Sequence, residues 1–261
     1  MKRLILISLL TLLLTTNGTL LAAVCTATEK NADYSPDNGS ASTARVTATI
    51  QALGDLVAIT AFCSPSCTPV SVTLGSQTAI ETSVPGLPGP GNPGTGQGFI
   101  FYILSASASG SQTLTFTASG SYTDIQTSYV DFSPSAGCTF THDVDSPVGL
   151  GTGGTANTPS ITPTPGDLLF NFTYVTEHVT SVNLPWSCPI YSGQGETQTC
   201  EFNTTINAAA YILSAPSGST ANNMTLIHAS DSWQALLTSF AMSSNVQNQV
   251  NPPTSLTSVV R

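Results

Sequence analysis

An internal repeat is the feature of this sequence that most constrains its fold. Three motifs each occur twice, in the same order along the chain: G-D-L at 54–56 and 166–168, Y-I-L-S-A at 102–106 and 211–215, and a spaced S-[YW]…T-S-[YF] pattern at 121–129 and 232–240. The copies lie 112, 109 and 111 residues apart, so only small loop changes separate them. Ordered repetition of this kind predicts that one structural unit is built twice.

Short strand-like runs fill both copies, while helical periodicity is nearly absent. At 114–118, for example, Leu, Phe and Ala alternate with Thr, as in a strand with one buried face. About twelve such runs, six per copy, are separated by turns and predict an all-β sandwich. The predicted copies span 45–133 and 158–243, with a connection at 134–157, and should share one hydrophobic core as halves of a single sandwich.

Both ends of the chain carry segments predicted to lie outside the sandwich. Residues 1–23 combine two basic residues, an apolar run and closing alanines, the order of a secretory signal peptide that is too short for a comfortable membrane span. We therefore expect a secreted or cell-envelope protein. A lipid anchor at Cys25 is an open alternative. Residues 24–44 are interpreted as an N-terminal segment and 244–261 as a polar tail.

The charge balance excludes two classes of partner. Loss of the signal segment removes two of the five basic residues, which leaves three against 14 acidic residues and a formal net charge of −11. So few Lys and Arg side chains cannot neutralise a phosphate backbone, so nucleic-acid binding is not expected. Attraction to anionic lipid is disfavoured for the same reason.

Six cysteines in an exported chain predict disulfide bonds. Two pairs are suggested by proximity and the third by elimination: Cys63–Cys67, Cys188–Cys200 and, if cleavage leaves Cys25 in place, Cys25–Cys138. Shifted by 112 residues, 63–67 falls on 175–179. Both segments are therefore predicted as three-residue hairpin loops between paired strands, with Cys63–Cys67 as a staple across the first.

The G-D-L strands, the Y-I-L-S-A strand and the paired aromatic strand together resemble bacterial surface β-sandwich modules of the jelly-roll, concanavalin-like kind. The resemblance covers 45–243 and implies a jelly-roll-like fold, with a bias toward glycan or surface interaction. It brings no catalytic motif. The ending at 251–260 resembles the first strand of a fibronectin type III module, which suggests that this chain is a fragment or that relatives carry a further domain.

Loop 185–205, closed by the Cys188–Cys200 pair, is the candidate ligand site. Trp186 and Tyr191 could stack on sugar rings there, with Gln194 as a polar neighbour that bonds hydroxyl groups. The alternative is that Trp186 packs against the disulfide and closes the core.

The densest polar cluster, 141–146, offers Asp143 and Asp145 as oxygen ligands for Ca²⁺, the single cofactor that the sequence suggests. The alternative is a solvated connection between the copies. No G-x-S-x-G, H-E-x-x-H or P-loop motif occurs, so no catalytic residue is predicted. We expect a non-enzymatic surface protein that binds glycans or other surface proteins. A self-assembling structural protein and a polysaccharide-active hydrolase with an unrecognised site are the alternatives.

Overall fold

The computed structural model describes residues 24–35, 42–65, 67–83, 96–120, 124–191, 200–202 and 207–244. Over these ranges the chain forms β-strands, turns and irregular connections, which confirms the all-β prediction. The same described residues contain no helix with the length and apolar character needed to cross a membrane.

Eighteen strands are described. The first nine are β1 (Ala27–Tyr34), β2 (Thr43–Ile50), β3 (Leu56–Ser64), β4 (Thr68–Leu74), β5 (Gln77–Thr78), β6 (Ile80–Glu81), β7 (Gln97–Ile103), β8 (Gly110–Ser119) and β9 (Asp124–Pro134). The other nine are β10 (Cys138–Asp145), β11 (Gly149–Thr152), β12 (Thr155–Asn157), β13 (Leu168–Val175), β14 (Val179–Val182), β15 (Glu201–Phe202), β16 (Asn207–Ile212), β17 (Asn223–Leu226) and β18 (Ser232–Ser244).

The strands form four antiparallel sheets, and two strand orders each occur twice. Sheet A has the order β1-β9-β3-β7-β6, and sheet C has the order β10-β18-β13-β16-β15, with β11 also on β18. Sheet B has the order β2-β8-β4-β5, and sheet D has the order β12-β17-β14. Sheet C repeats the strand order of sheet A. The places of β1, β9, β3, β7 and β6 are taken in sheet C by β10, β18, β13, β16 and β15. We call β1–β9 half one and β10–β18 half two.

Three apolar layers separate the four sheets, which are therefore stacked in the order B, A, C, D. Along β3, Val57 and Ile59 point into the layer shared with sheet B, while Leu56 and Phe62 point into the layer shared with sheet C. The structure thus has three cores, not the single core expected from the sequence. Each half has its own core, and a third core joins the halves.

The predicted boundaries of the copies also need correction. The predicted N-terminal segment at 24–44 contains β1, which is not an outlying element because it pairs along its length with β9. Residues 134–157 are not a simple connection, because β10, β11 and β12 lie there and join sheets C and D. These strands escaped the sequence pattern because polar residues and bulges interrupt their alternation, as between Glu29 and Asn31 of β1.

The connection at 63–67 is a corner between two sheets, so the predicted hairpin is wrong. Strand β3 bonds to β7 and β9 in sheet A, whereas β4 bonds to β8 and β5 in sheet B. The Cys63–Cys67 bond closes this corner, with the two Cα atoms 6.0 Å apart. The corner at 175–179 passes from sheet C to sheet D in the same way.

All three predicted cysteine pairs are bonded: Cys25–Cys138, Cys63–Cys67 and Cys188–Cys200. The bond from Cys25 to Cys138 occupies the Cys25 sulfur. A lipid attached to that sulfur, left open by the sequence, is incompatible with this bond.

The third repeated motif, at 121–129 and 232–240, aligns residues that do not occupy equivalent positions in the two halves. Leu56 lies opposite Phe132, and Leu168 of the second G-D-L motif lies opposite Phe240. The residue of half one equivalent to Phe240 is therefore Phe132 and not Tyr129, which the repeated motif aligns with Phe240. An odd shift of three residues exchanges the faces of a strand. Accordingly, Tyr129 points into the core of half one, and Phe240 points into the layer between the halves.

The other two repeated motifs contact each other, which gives a structural reason for their repetition. The G-D turn docks on the alanine that ends Y-I-L-S-A through two backbone hydrogen bonds in each half. These are Gly54 N to Ala106 O (2.9 Å), Ala106 N to Asp55 O (2.8 Å), Gly166 N to Ala215 O (3.0 Å) and Ala215 N to Asp167 O (2.7 Å). Gly54 and Gly166 have φ of 90° and 95°, in a region that residues other than glycine adopt only with backbone strain.

Replacing the turn glycine should destabilise the fold through the backbone alone. An added Cβ at Gly166 meets no atom within 4 Å, so Gly166→Ala should lose about 1–2 kcal/mol of unfolding free energy from its positive φ. Gly154 is the control, since it has no strained φ and its nearest neighbour would be 3.7 Å away. Urea unfolding compares the two variants. Equal losses would show that the turn conformation is not what the glycine supplies.

Candidate functional site

The aromatic rings proposed for sugar stacking are both buried. Trp186 is 5% exposed, belongs to the core of half two and donates from Nε1 to the carbonyl of Ala221 at 3.2 Å. Tyr191 is 2% exposed and packs between Tyr34 and Phe202, with ring centroids 5.8 and 5.2 Å away. Neither ring offers a face to solvent, so stacking on a sugar does not fit these positions. Gln194 lies outside the described residues.

The path of the chain explains this burial. Ser187 exchanges two backbone hydrogen bonds with Tyr211 of β16, at 2.8 and 2.9 Å. Tyr191 then forms an isolated parallel bridge with Ala32 of β1. The first part of the loop therefore runs along the edge of sheet C toward sheet A and does not project outward. A polar loop sequence that contains two aromatic residues could not distinguish these arrangements.

Asp143 and Asp145, proposed as a calcium pair, have different partners. Asp145 Oδ2 accepts from the backbone N and the Oγ of Ser83, at 2.8 and 2.6 Å, and its Oδ1 lies 2.8 Å from His142 Nε2. Burial alone would raise the pKa of Asp145, but hydrogen bonds from Ser83, His142 and Thr238 outweigh it and lower that pKa. Asp143 is paired instead with Asp167.

The ladder between β10 and β18 is irregular between His142 and Asp145, which explains why the two acids diverge. In the part of the chain that the structure describes, no three His, Cys, Asp or Glu side chains come together as a metal site.

His142 and Asp145 form the arrangement closest to a catalytic one. The His142 ring is about one quarter exposed (24%), stacks on Tyr102 at a centroid distance of 5.1 Å and is oriented by Asp145. In a nucleophilic triad, the histidine lies between the acid and the serine. Here Ser83 donates to Asp145 and not to His142, so the acid holds both neighbours and the serine is not activated.

A buried carboxyl pair that sequence analysis missed lies beside the first G-D turn. Asp131 of β9 accepts from Gln51 N at 2.8 Å, and Asp55 accepts from Ala52 N at 2.8 Å. Both acids are almost fully buried. Burial, together with the charge and hydrogen bond of Asp55, raises the pKa of Asp131 to about 7. The Asp131 carboxyl group therefore favours its protonated form at mildly acidic pH.

The second G-D turn carries a carboxyl pair built from a different strand. Burial, followed by the hydrogen bond and charge of Asp143, raises the pKa of Asp167 to about 7. Thr164 N lies 3.1 Å from Asp167 Oδ2 and 3.4 Å from Asp143 Oδ2. Directly hydrogen-bonded carboxyl groups are closer than the roughly 5–9.5 Å that glycoside hydrolysis requires. The pair fits proton sharing and does not fit glycosidase chemistry.

Two sequence signals could have indicated these pairs. The repeated G-D-L motif contains Asp55 and Asp167, and Asp131 is an acid between the apolar residues Val130 and Phe132. Their partners could not be found from sequence, because Asp131 lies on β9 and Asp143 on β10.

No known protein family and no curated protein matches this chain.

The two carboxyl pairs should make the protein more stable in acid than in mild base. The folded pKa values of Asp131 and Asp167, about 7, lie above the unfolded value of about 3.9. The resulting stability is complete below about pH 4 and is lost as the pH rises through about 7. The melting temperature should therefore fall by several degrees between about pH 5 and pH 8, since about 1 kcal/mol shifts it by about 2–4 °C at this size.

Asparagine variants test the origin of that slope. Asp131→Asn and Asp167→Asn mimic the protonated acid, so each should flatten the dependence of melting temperature on pH. Glu177→Gln is the matched control, because Glu177 is exposed on the corner after β13 and should leave the slope unchanged. A wild-type profile without a decline above pH 6 would refute proton sharing.

Trp186→Ala should lower stability, since it removes a core ring. Truncation of a buried tryptophan typically costs about 3–5 kcal/mol. Leu184→Ala, two residues away at a side chain that is 94% exposed, should change the unfolding free energy very little. Chemical denaturation of both variants provides the comparison. A neutral Trp186→Ala would mean that the ring is available for a ligand after all.

Proposed function

We propose that this chain is an exported, non-enzymatic β-sandwich protein that acts as a structural component of a surface and associates with further copies of itself. The burial of Trp186 and Tyr191 carries the proposal, because it removes the aromatic platform on which glycan binding depended. What remains for contact is a surface with few charges, on which eight large apolar side chains of the described residues are exposed, Leu184 and Val70 among them.

The acids at the contact between the halves support a structural role. Glu29 of half one accepts from Ile190 N at 2.9 Å and from the Tyr211 hydroxyl, both in half two. Asp145 of half two holds Ser83 of half one in the same way. These carboxyl groups are used to join the halves and are not directed toward a substrate.

Export is supported by the cysteines and by the N-terminal sequence. Three disulfide bonds are compatible with an extracellular or exported protein. Residues 1–23 have the order of a secretory signal peptide. We therefore place the mature protein outside the cytoplasm, either secreted or in the cell envelope.

We further propose that the chain is an internal duplication of a jelly-roll-like unit. The recurrence of the strand orders in sheets A and C and the matching docking of both G-D turns support this proposal. In half one, the first, last and third strands (β1, β9 and β3) are neighbours in sheet A. The second, next-to-last and fourth strands (β2, β8 and β4) are neighbours in sheet B. This is the alternation of a double-sheet jelly roll.

Strand edges are poor candidates for contact between copies. Four of the edge strands have two or three residues: β5, β6, β12 and β15. Three others carry irregularities: β1, β10 and β14. Edge strand β2 is longer, but Thr49 N donates to the Tyr129 hydroxyl, and Gln51 N, just after the strand, donates to Asp131. Such features protect sheets against edge-to-edge pairing. Association is therefore expected through faces.

A hydrolase is the second candidate, and one observation favours it. His142 is partly exposed and oriented by Asp145, as a general base would be. Hydrolysis of a polysaccharide that disappears in His142→Gln, with the melting temperature preserved, would support this candidate.

Light scattering and glycan binding test the proposal together. The purified protein should show a mass that increases with concentration, and it should bind no glycan on an array. A strictly monomeric protein that binds one glycan class would reverse the order of the hypotheses.

A further inference from the structure

Contacts between the two halves occur in matched pairs. Phe132 of half one packs edge-on against Tyr211 of half two, with a centroid distance of 5.3 Å and an angle of 76°. Phe240 of half two packs edge-on against Tyr102 of half one, at 5.3 Å and 72°. Phe132 and Phe240 occupy the same register positions, opposite the leucine of each G-D-L motif. Tyr102 and Tyr211 are the same residue of Y-I-L-S-A.

The polar contacts follow the same rule. Gln126 and Gln234 are counterparts, opposite Phe62 and Tyr174 respectively. Gln126 Oε1 accepts from Asn207 Nδ2 of half two at 2.8 Å. Gln234 Oε1 accepts from the backbone N of Gly98 in half one at 3.0 Å, and its Nε2 donates to the Gly98 carbonyl at 3.3 Å.

Gly98 and Asn207 are themselves counterparts. Gly98 lies opposite Phe62 on β3, and Asn207 lies opposite Tyr174 on β13. Gln126 of half one therefore contacts Asn207 of half two, and Gln234 of half two contacts Gly98, the residue of half one that corresponds to Asn207. An interface in which one contact implies its mirror partner is isologous, the type made by a twofold axis between identical subunits.

Two pairs of counterparts touch each other directly, as only residues on such an axis can. Phe62 stacks on Tyr174 at a centroid distance of 4.8 Å. Cys25 is bonded to Cys138, 113 residues further along. The same separation relates Glu29 to His142, which lie opposite Phe132 and Phe240. The stack and the disulfide lie toward opposite ends of β9, so the axis runs along the length of the interface.

From these contacts we propose that the face between the halves fits a second copy of this chain, and that two copies associate by exchanging halves. Half one of one copy docks on half two of the other through the same isologous contacts, and the reciprocal pair closes the dimer. This inference deepens the proposed self-association and rests on it for its biological role. It also supplies a face-to-face route that the short and bulged edges do not.

The covalent link between the halves is short enough to act as a hinge. Only 135–137 separate β9 from β10, and they form a tight turn in which Cys138 N donates to Ser135 O at 3.0 Å. Gly137 has a φ of 78°. Opening this turn releases one half without changing the strands of either. Within one chain the tether gives an effective concentration on the order of 1 mM, so dilute protein should remain monomeric.

Exchange leaves a covalent record at Cys25 and Cys138. When the reduced chain refolds with oxidised glutathione, the two thiols lose two electrons and two protons, and each disulfide formed releases two molecules of reduced glutathione. In the exchanged dimer this bond joins two chains. The other two disulfides, Cys63–Cys67 and Cys188–Cys200, lie within one half and must remain within one chain.

Isotope mixing tests the proposal on the full chain. Equal amounts of ¹⁵N-labelled and unlabelled protein are reduced, unfolded and refolded together at about 1 μM and about 1 mM, the latter near the effective concentration of the tether. At the higher concentration, about half of the Cys25–Cys138 peptides in the dimer fraction should join a labelled to an unlabelled chain, as random pairing of two labels requires. Peptides of the other two disulfides should stay unmixed.

Either of two results would overturn the exchange. Equal mixing at all three disulfides would indicate random scrambling. Absence of mixed Cys25–Cys138 peptides at the higher concentration would show that halves pair only within one chain. Mixed peptides from a protein whose native form is monomeric would leave the interface valid and remove the proposed assembly. Native assembly without mixed peptides would leave the proposed assembly valid and refute the exchange of halves.

A hinge variant gives an independent measurement. Deleting Ala136 and Gly137 prevents the tight turn while leaving every interface residue in place, so the dimer should dominate even at about 1 μM, far below the effective concentration of the tether. Inserting two glycines after Gly137 is the control and should keep the protein monomeric. If the deletion variant folds as a monomer, the exchange is refuted. If it does not fold, the isotope experiment on the wild-type chain still decides.

Discussion

Sheets A and C have no solvent face, because an outer sheet covers one side of each and the other inner sheet covers the opposite side. Every side chain of β13 is buried as a result. Polar groups there must find partners inside the protein. Asn171 does so by donating to the Leu236 carbonyl at 2.7 Å and accepting from Asn222 Nδ2 at 2.8 Å. Two doubly covered sheets also leave few places for charges, consistent with a chain in which 7% of residues are charged.

The contacts between the halves satisfy the polar groups that this burial creates. At one end, Gln126 and Gln234 fill the space around the Phe62–Tyr174 stack with amide hydrogen bonds. Toward the other end, Glu29 and Asp145 take this role by accepting hydrogen bonds from Tyr211 and Ser83 of the opposite half. Neutral amides and hydrogen-bonded carboxyl groups both avoid an isolated buried charge, which would cost several kcal/mol. The protein thus remains compact with three basic residues in the predicted mature chain.

The strands that alternate cleanly or are continuously apolar could be predicted from sequence, and the layers could not. Leu114, Phe116 and Ala118 were assigned correctly because one face of β8 is buried. β3 and β13 were also found, but an unbroken apolar run does not reveal that its two faces belong to different cores. The edge strands β1 and β10 were missed, because bulges and polar residues interrupt the alternation of apolar and polar residues in their sequences.

The candidate site illustrates the same limit at the level of single residues. Trp186 and Tyr191 lie in a polar segment, and only the bridges to β16 and β1 reveal that this segment lies against the sheets. The Asp55–Asp131 and Asp143–Asp167 pairs involve sequence separations that no local pattern encodes. The disulfides could be suggested from sequence, because two of them join cysteines that are close along the chain and the third joins the remaining two.

The disulfide between Cys25 and Cys138 also determines how the fold would respond to tension. Cys138 lies opposite Ser244, the last residue of β18, so the two ends of the described fold come together at one point. Neighbouring segments attached at 24 and 244 would leave the protein side by side. A pulling force between them would pass through one sulfur–sulfur bond and the last rungs of the β10–β18 ladder, which would open one at a time. The layer between the halves would begin to carry load when the opening reached Met242, which packs against that layer.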